Sequence, residues 1–248
     1  MEITIPHRYC GPPESGNGGW VCGTVAAHVP TTVPRPAVTV RLASPPPLDR
    51  PLALEAEATD GAILVRLLDR GHLVASGTAS ADLVDDVPPA VTPEQARAAE
   101  TRFEGLADHP FPTCFVCGTG RDPGDGLCLR PGPIDDGTGR YAATWEPEEA
   151  TGPLVWAALD CPGGWSAGIA GRPMVLGTMT TRVLALPVVG EEHVILAWQR
   201  GAEGRKHHSG SALFSPGGEL LARAEATWIA VDPTTFRPTS PPRSQDRP

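Results

Sequence analysis

No apolar run in this 248-residue chain approaches the roughly 18 residues that a membrane-crossing helix needs, so no membrane span is expected. Basic residues are few as well. Lys and Arg total 20 against 29 Asp and Glu, a net charge of −9, and they form no block. A general nucleic-acid binder needs a positive face, so the balance argues against that class. The opening residues, Met1-Glu2-Ile3-Thr4-Ile5-Pro6-His7-Arg8, alternate like a strand and lack the charged-then-apolar order of a leader. A cytoplasmic protein is the expectation, with its six cysteines reduced. Hydrophobic content is a modest 40%, because Pro 29 and Gly 28 take up much of the chain; enough Val, Leu and Ala remain for a core.

What is present centres on Leu159-Asp160-Cys161-Pro162-Gly163-Gly164-Trp165. This stretch reads as a helix start. Proline suits a first turn, where a missing N–H costs nothing. Paired glycines leave backbone N–H groups uncovered. A helix N-terminus carries free donors and partial positive charge, which suit an anion or a carbonyl oxygen turning negative. Asp160 would lie beside that opening.

The pattern occurs twice. Asn17-Gly18-Gly19-Trp20 precedes a small-residue run at 21–27, as Gly163-Gly164-Trp165 precedes Ser166 to Gly171. Val40-Arg41-Leu42 pairs with Thr181-Arg182-Val183, and Gly71-His72-Leu73 with Gly218-Glu219-Leu220. The three matches keep one order, so the chain is read as two copies of one α+β unit. Copy one holds a strand near 1–8, a buried helix at 19–28, and strands at 37–42, 52–58, 62–68 and 72–83. Asp69-Arg70-Gly71 makes a hairpin turn. Thr92-Pro93-Glu94-Gln95 starts an exposed linker helix reaching about residue 106, with Gln95 completing a capping box. Copy two has strands at 128–130, 140–145, 174–186, 193–200, 208–214 and 219–231. The resulting division is 1–88, a linker at 89–112, 113–235, and a disordered tail at 236–248.

A central helix opening on glycines, wrapped by an antiparallel sheet and present twice, resembles the hotdog fold of the acyl-CoA thioesterase and dehydratase superfamily. The fused form is similar to a double hotdog protein, in which one chain makes the pseudo-dimer. The two Gly-Gly-Trp phrases carry the likeness, with Cys114-Phe115-Val116-Cys117-Gly118 and Gly126-Leu127, which resemble actinobacterial thioesterase-like members. The resemblance implies a thioesterase-like hydrolase acting on acyl-CoA or an acyl-carrier thioester, without a cofactor. It implies Asp160 as base or nucleophile, with Asn17 beside it across the pseudo-dimer interface. Gly18, Gly19 and Trp20, with Gly163, Gly164 and Trp165, would bind the substrate carbonyl through backbone amides. Further pairing into a homodimer of double hotdogs is common in such proteins. The Asp and His pairing of hydratase branches is absent from the matching motifs. A non-catalytic acyl or lipid-like ligand binder is the alternative.

Each feature also has a plainer reading. Asp160 could only cap its helix, the glycines could only permit close packing, and Trp20 and Trp165 could be core anchors. Asn17 could simply close its loop. Cys114 and Cys117 have zinc-knuckle spacing, but no second Cys pair follows at a suitable distance. Cys128, His109 or His207-His208 could complete such a site; buried thiols without metal are the default. Cys161 beside Asp160 invites a nucleophile reading, with no histidine near it in sequence. His207 and His208, with Arg205 and Lys206, read as a basic loop able to meet a CoA phosphate. Arg41 and Arg182 could pair at the interface or face solvent.

Overall fold

The computed structural model describes residues 1–59, 61–84, 87–122 and 124–232. The tail expected at 236–248 lies outside the described residues. Copy one contains β1 (Glu2–Thr4), α1 (Gly18–Ala26), β2 (Ala37–Leu42), β3 (Pro51–Thr59), β4 (Ala62–Asp69) and β5 (His72–Ser80). Helix α2 (Pro93–Glu100) follows, then β6 (Gly132–Pro133), β7 (Tyr141–Trp145), α3 (Gly152–Ser166), β8 (Met174–Val183), β9 (His193–Glu203), β10 (Lys206–Phe214) and β11 (Leu220–Ala230).

All eleven strands form one antiparallel sheet, in the order β1-β3-β4-β5-β2-β8-β11-β10-β9-β7-β6. Apart from the added edge strand β6, the order is a palindrome of the two copies about the β2–β8 seam. The offset that carries Arg41 onto Arg182 (182 minus 41, or 141 residues) also carries Thr39 onto Thr180. Thr39 and Thr180 are paired across that seam, and their hydroxyls lie 2.9 Å apart. Equivalent residues facing each other mark the pseudo-twofold axis. The seam is therefore where a pair of single units would dimerise, here made intramolecular.

Helix α1 packs on β2, β4, β5 and β8, and α3 on β7 to β11. Both are apolar all round, as a helix enclosed on every side must be. Their packing is antiparallel and unusually close. A Cβ at Gly23 would fall 2.6 Å from Pro153 Cα, and one at Gly19 would fall 2.7 Å from the Trp156 carbonyl oxygen. One core, running from Ile5 and Val21 to Leu159, Met179 and Trp228, joins both copies. A smaller one lies under α2, where Ala96 and Ala99 meet Ala142, Leu196 and Phe214. Helix α2 thus covers part of the outer sheet face rather than standing free. It begins as expected, with Thr92 and Gln95 exchanging both capping-box bonds. It ends at Glu100, ahead of a short 3-10 turn at Glu104–Leu106.

Helix α3 requires a correction. It starts at Gly152, where Thr151 accepts from the Leu154 N–H, and not at Asp160. Thr151-Gly152-Pro153 carries the same cap-then-proline signal as Thr92-Pro93. Pro162 lies inside the helix, eleventh of its fifteen residues. The ring deprives the Ala158 carbonyl of its partner, and the helix tolerates it in its final turns. Gly168, at φ 90°, stops the helix in the left-handed conformation. Residues 128–130 are not a strand; Cys128 itself has a positive φ.

Gly23→Ala should destabilise the fold by about 2 kcal/mol in chemical denaturation, even though alanine is the better helix former. A Cβ at Gly152 meets nothing within 4 Å, so Gly152→Ala should leave the midpoint unchanged or higher. Equal effects of the two would contradict the close crossing of α1 and α3.

Candidate functional site

Asn17 caps α1, its Oδ1 accepting from the Trp20 N–H at 2.9 Å. Val21 N–H bonds to the Asn17 carbonyl. Among the donors that a first helical turn leaves unsatisfied, the cap removes one, the Trp20 N–H; the Val21 bond is the first of the helix itself. The Gly19 N–H is taken by Asp160, whose Oδ2 accepts it at 2.8 Å and accepts the Asn17 Nδ2 at 3.1 Å. The Gly18 N–H is left outside these bonds, and Gly18 lines a cavity. A carboxylate from the third turn of α3 is thereby docked on the N-terminus of α1, across the interface between copies. The close approach at Gly19 is what allows it, since any side chain there would overlap Asp160 and the Trp156 carbonyl.

Asp160 is 2% exposed, and its Oδ1 has no hydrogen-bond partner. Burial pushes its carboxyl up to about 7, with the Gly19 N–H and the Asn17 amide pulling the other way. A carboxyl in that range can change protonation under ordinary conditions.

The cavity it lines has a volume of about 240 Å3 and a mainly apolar wall, including Leu42, Ile169, Met174, Leu176 and Trp228. Asn17, Gly18, Asp160, Cys161 and Trp165 reach it, as do His109, Cys114 and Cys117. His109 stands edge-on to Trp165, its Nδ1 accepting from the Phe111 N–H at 3.0 Å. Its Nε2 is buried without a partner, and burial lowers its pKa.

The fold brings Asp160, Asn17, Gly18 and Gly19 together and separates the second glycine pair from the first. Gly163 and Gly164 close α3 in its last turn instead of opening it. A Cβ there would meet Ser209 Oγ at 2.8 Å and the Trp228 ring at 2.9 Å, so these glycines let the helix end press on β10 and β11. Trp165 is a buried wall residue packed on Phe103. Trp20 is half-buried and stacked on Tyr9 at 4.1 Å. The expected basic loop at His207-His208 is strand β10, with His207 buried and His208 near Thr227 Oγ1. Arg182 pairs with Asp82, and Arg41 is exposed.

Sequence reasoning gave His109 no place at the Asp160 cavity and did not join Cys161 to Cys114 and Cys117. Nothing local in the chain signals either meeting.

No family model matches the chain, and no curated protein does. Solved structures do. A conserved protein of unknown function with hot dog fold from Alicyclobacillus acidocaldarius aligns with TM-score 0.61 at 17% identity, over 93% of this chain and 92% of its own. A putative thioesterase from Novosphingobium aromaticivorans aligns at 0.61 and 13% identity, over 93% and 95%. The dehydratase domain of PpsC from Mycobacterium tuberculosis, solved in complex with C12:1-CoA, aligns at 0.57 and 10% identity, over 93% of each chain. Likeness at such identities speaks to architecture. With the palindromic sheet, its self-facing threonines and the crossed inner helices, it shows that this chain has the double hotdog fold.

Proposed function

We propose that the protein is a thioesterase-like hydrolase acting on acyl-CoA or a similar acyl thioester. One observation carries this reading. Asp160 has one oxygen fixed by Gly19 and Asn17 and the other unpartnered, at the wall of an apolar cavity. A group held so firmly at one oxygen keeps the other aimed, which is what positioning a water requires. The acyl chain lies along the apolar wall. Asp160 Oδ1 takes a proton from water as the water oxygen attacks the thioester carbonyl. Negative charge then builds on the carbonyl oxygen, and the Gly18 N–H at the positive end of α1 is the donor for it. Collapse of the tetrahedral adduct breaks the C–S bond and releases the thiol with the proton. Amides of residues 163–165 have no part in this scheme, because they belong to the last turn of α3. The cavity is below the roughly 300–1,000 Å3 of drug-sized sites, which favours short acyl groups.

A second reading draws on His109, which lines the same cavity as Asp160 and whose Nε2 is buried without a partner. An imidazole and a carboxyl facing one substrate could exchange protons at adjacent carbons, as hydration or dehydration of an acyl thioester demands.

Purified protein should release free thiol from short-chain acyl-CoA. Asp160→Asn should reduce kcat by at least about 100-fold with no loss of thermal stability, since the amide oxygen can still accept from Gly19. Absence of turnover across short, medium and long chains would end the hydrolase reading. Acyl-CoA binding without turnover would support a carrier or sensor, and water loss from 3-hydroxyacyl-CoA would support the His109 reading.

Leu42→Trp, at the half-buried cavity wall, should raise KM for longer acyl chains while leaving kcat on the shortest within about threefold. Unchanged chain-length preference would place the acyl group elsewhere.

A further inference from the structure

Cys114 and Cys117 come from the loop after α2, and Cys161 from the buried face of α3, 44 residues beyond Cys117 (161 minus 117). Their three sulfur atoms all lie within 4.8 Å of one another, and Cys114 Sγ is 3.6 Å from Cys161 Sγ. Four sulfurs around a tetrahedral ion with metal–sulfur bonds of about 2.3 Å would be roughly 3.8 Å apart. The Cys114–Cys161 separation is close to that. Among the described residues, no other set of His, Cys, Asp or Glu converges this way.

The loop is built to hold the two sulfurs on one side. Gly118 N–H bonds to the Cys114 carbonyl at 2.9 Å, and a Cβ at Gly118 would fall 2.5 Å from that oxygen. Phe115 N–H bonds to the Cys10 carbonyl, pinning the loop to copy one, and Leu129 N–H bonds to that of Val116, closing the loop on itself. All three cysteines are at most 8% exposed. Asn17 Nδ2 stands 3.9 Å from both Cys114 Sγ and Cys161 Sγ, placed to donate to thiolates as outer-shell groups do around metal ligands.

We infer that Cys114, Cys117 and Cys161 form a binding site for a thiophilic divalent cation of the zinc class. Three protein thiolates leave a fourth position, and all three cysteines line the Asp160 cavity, so water or an entering ligand completes the set. Soft sulfur donors in a tetrahedral arrangement select zinc over magnesium or calcium. This inference stands apart from the hydrolase reading, since the ion would lie in the cavity wall whatever the cavity accepts.

The test is a titration of the full, reduced, metal-free chain with Co2+, followed by Zn2+. One cobalt per chain should bind with sulfur-to-cobalt charge-transfer absorption and the intense visible bands of a tetrahedral ion, and equimolar zinc should abolish both. Cys117→Ser and Cys161→Ser should each weaken binding by at least about 100-fold, beyond the 10–100-fold expected of an outer-shell change. Cys128→Ser should change nothing. A chain with all six thiols free that gives no such bands overturns the inference, and that measurement needs no variant to fold. Bands that persist in Cys161→Ser overturn it as well, as does a disulfide among these three cysteines in protein purified without oxidant.

Discussion

A carboxylate on one helix, set against the N-terminus of another, ties this molecule together. Asp160 belongs to α3 of the second copy, while the groups that bind it, the Gly19 N–H and the Asn17 amide, belong to the first. Burying a charge is costly unless it is paired or hydrogen-bonded. Here two donors and the helix dipole offset part of that cost at one oxygen and nothing does at the other. The residue itself stands at the wall of the cavity.

That contact dictates sequence on both sides. α1 must come within backbone range of α3, so glycine occupies positions 19 and 23, where Asp160, Trp156 and Pro153 leave no room. The sheet seam then brings the copies into register, with Thr39 against Thr180 on the pseudo-twofold axis. The fold is symmetric while the site is not. α3 runs nearly two turns longer than α1 and carries the carboxylate, while α1 supplies the open N-terminus.

The strand pattern was readable because alternation and turn residues are local. Residues 37–42 are β2 as read, and Arg70 and Gly71 adopt the positive φ values of the tight hairpin expected there. The repeat was legible too, although one of its three supports was misleading. Gly18-Gly19-Trp20 and Gly163-Gly164-Trp165 look alike yet occupy opposite ends of their helices. Proline drew the helix start to Pro162, since a proline inside a helix is disfavoured by local rules. Enclosure by the sheet and by α1 overrode that preference. Asp160 and Asn17 could be paired in advance because the pseudo-dimer idea puts the two helices together. The meeting of Cys161 with Cys114, and the approach of His109, depend on how the loop after α2 crosses between copies, which no local pattern records.

The cavity therefore has two kinds of wall, and their chemistry is connected. Asn17 offers its Oδ1 to the Trp20 N–H and its Nδ2 to Asp160, and that same Nδ2 lies within 3.9 Å of two cysteine sulfurs. One amide thus stands between the carboxylate and the thiols. A divalent ion held by three thiolates leaves the site with a net charge of −1, where three thiols carry none, so loading it would act with burial in favouring the protonated form of Asp160. The state of the carboxylate would then depend on whether the sulfurs hold metal, through a side chain that also caps the helix receiving it.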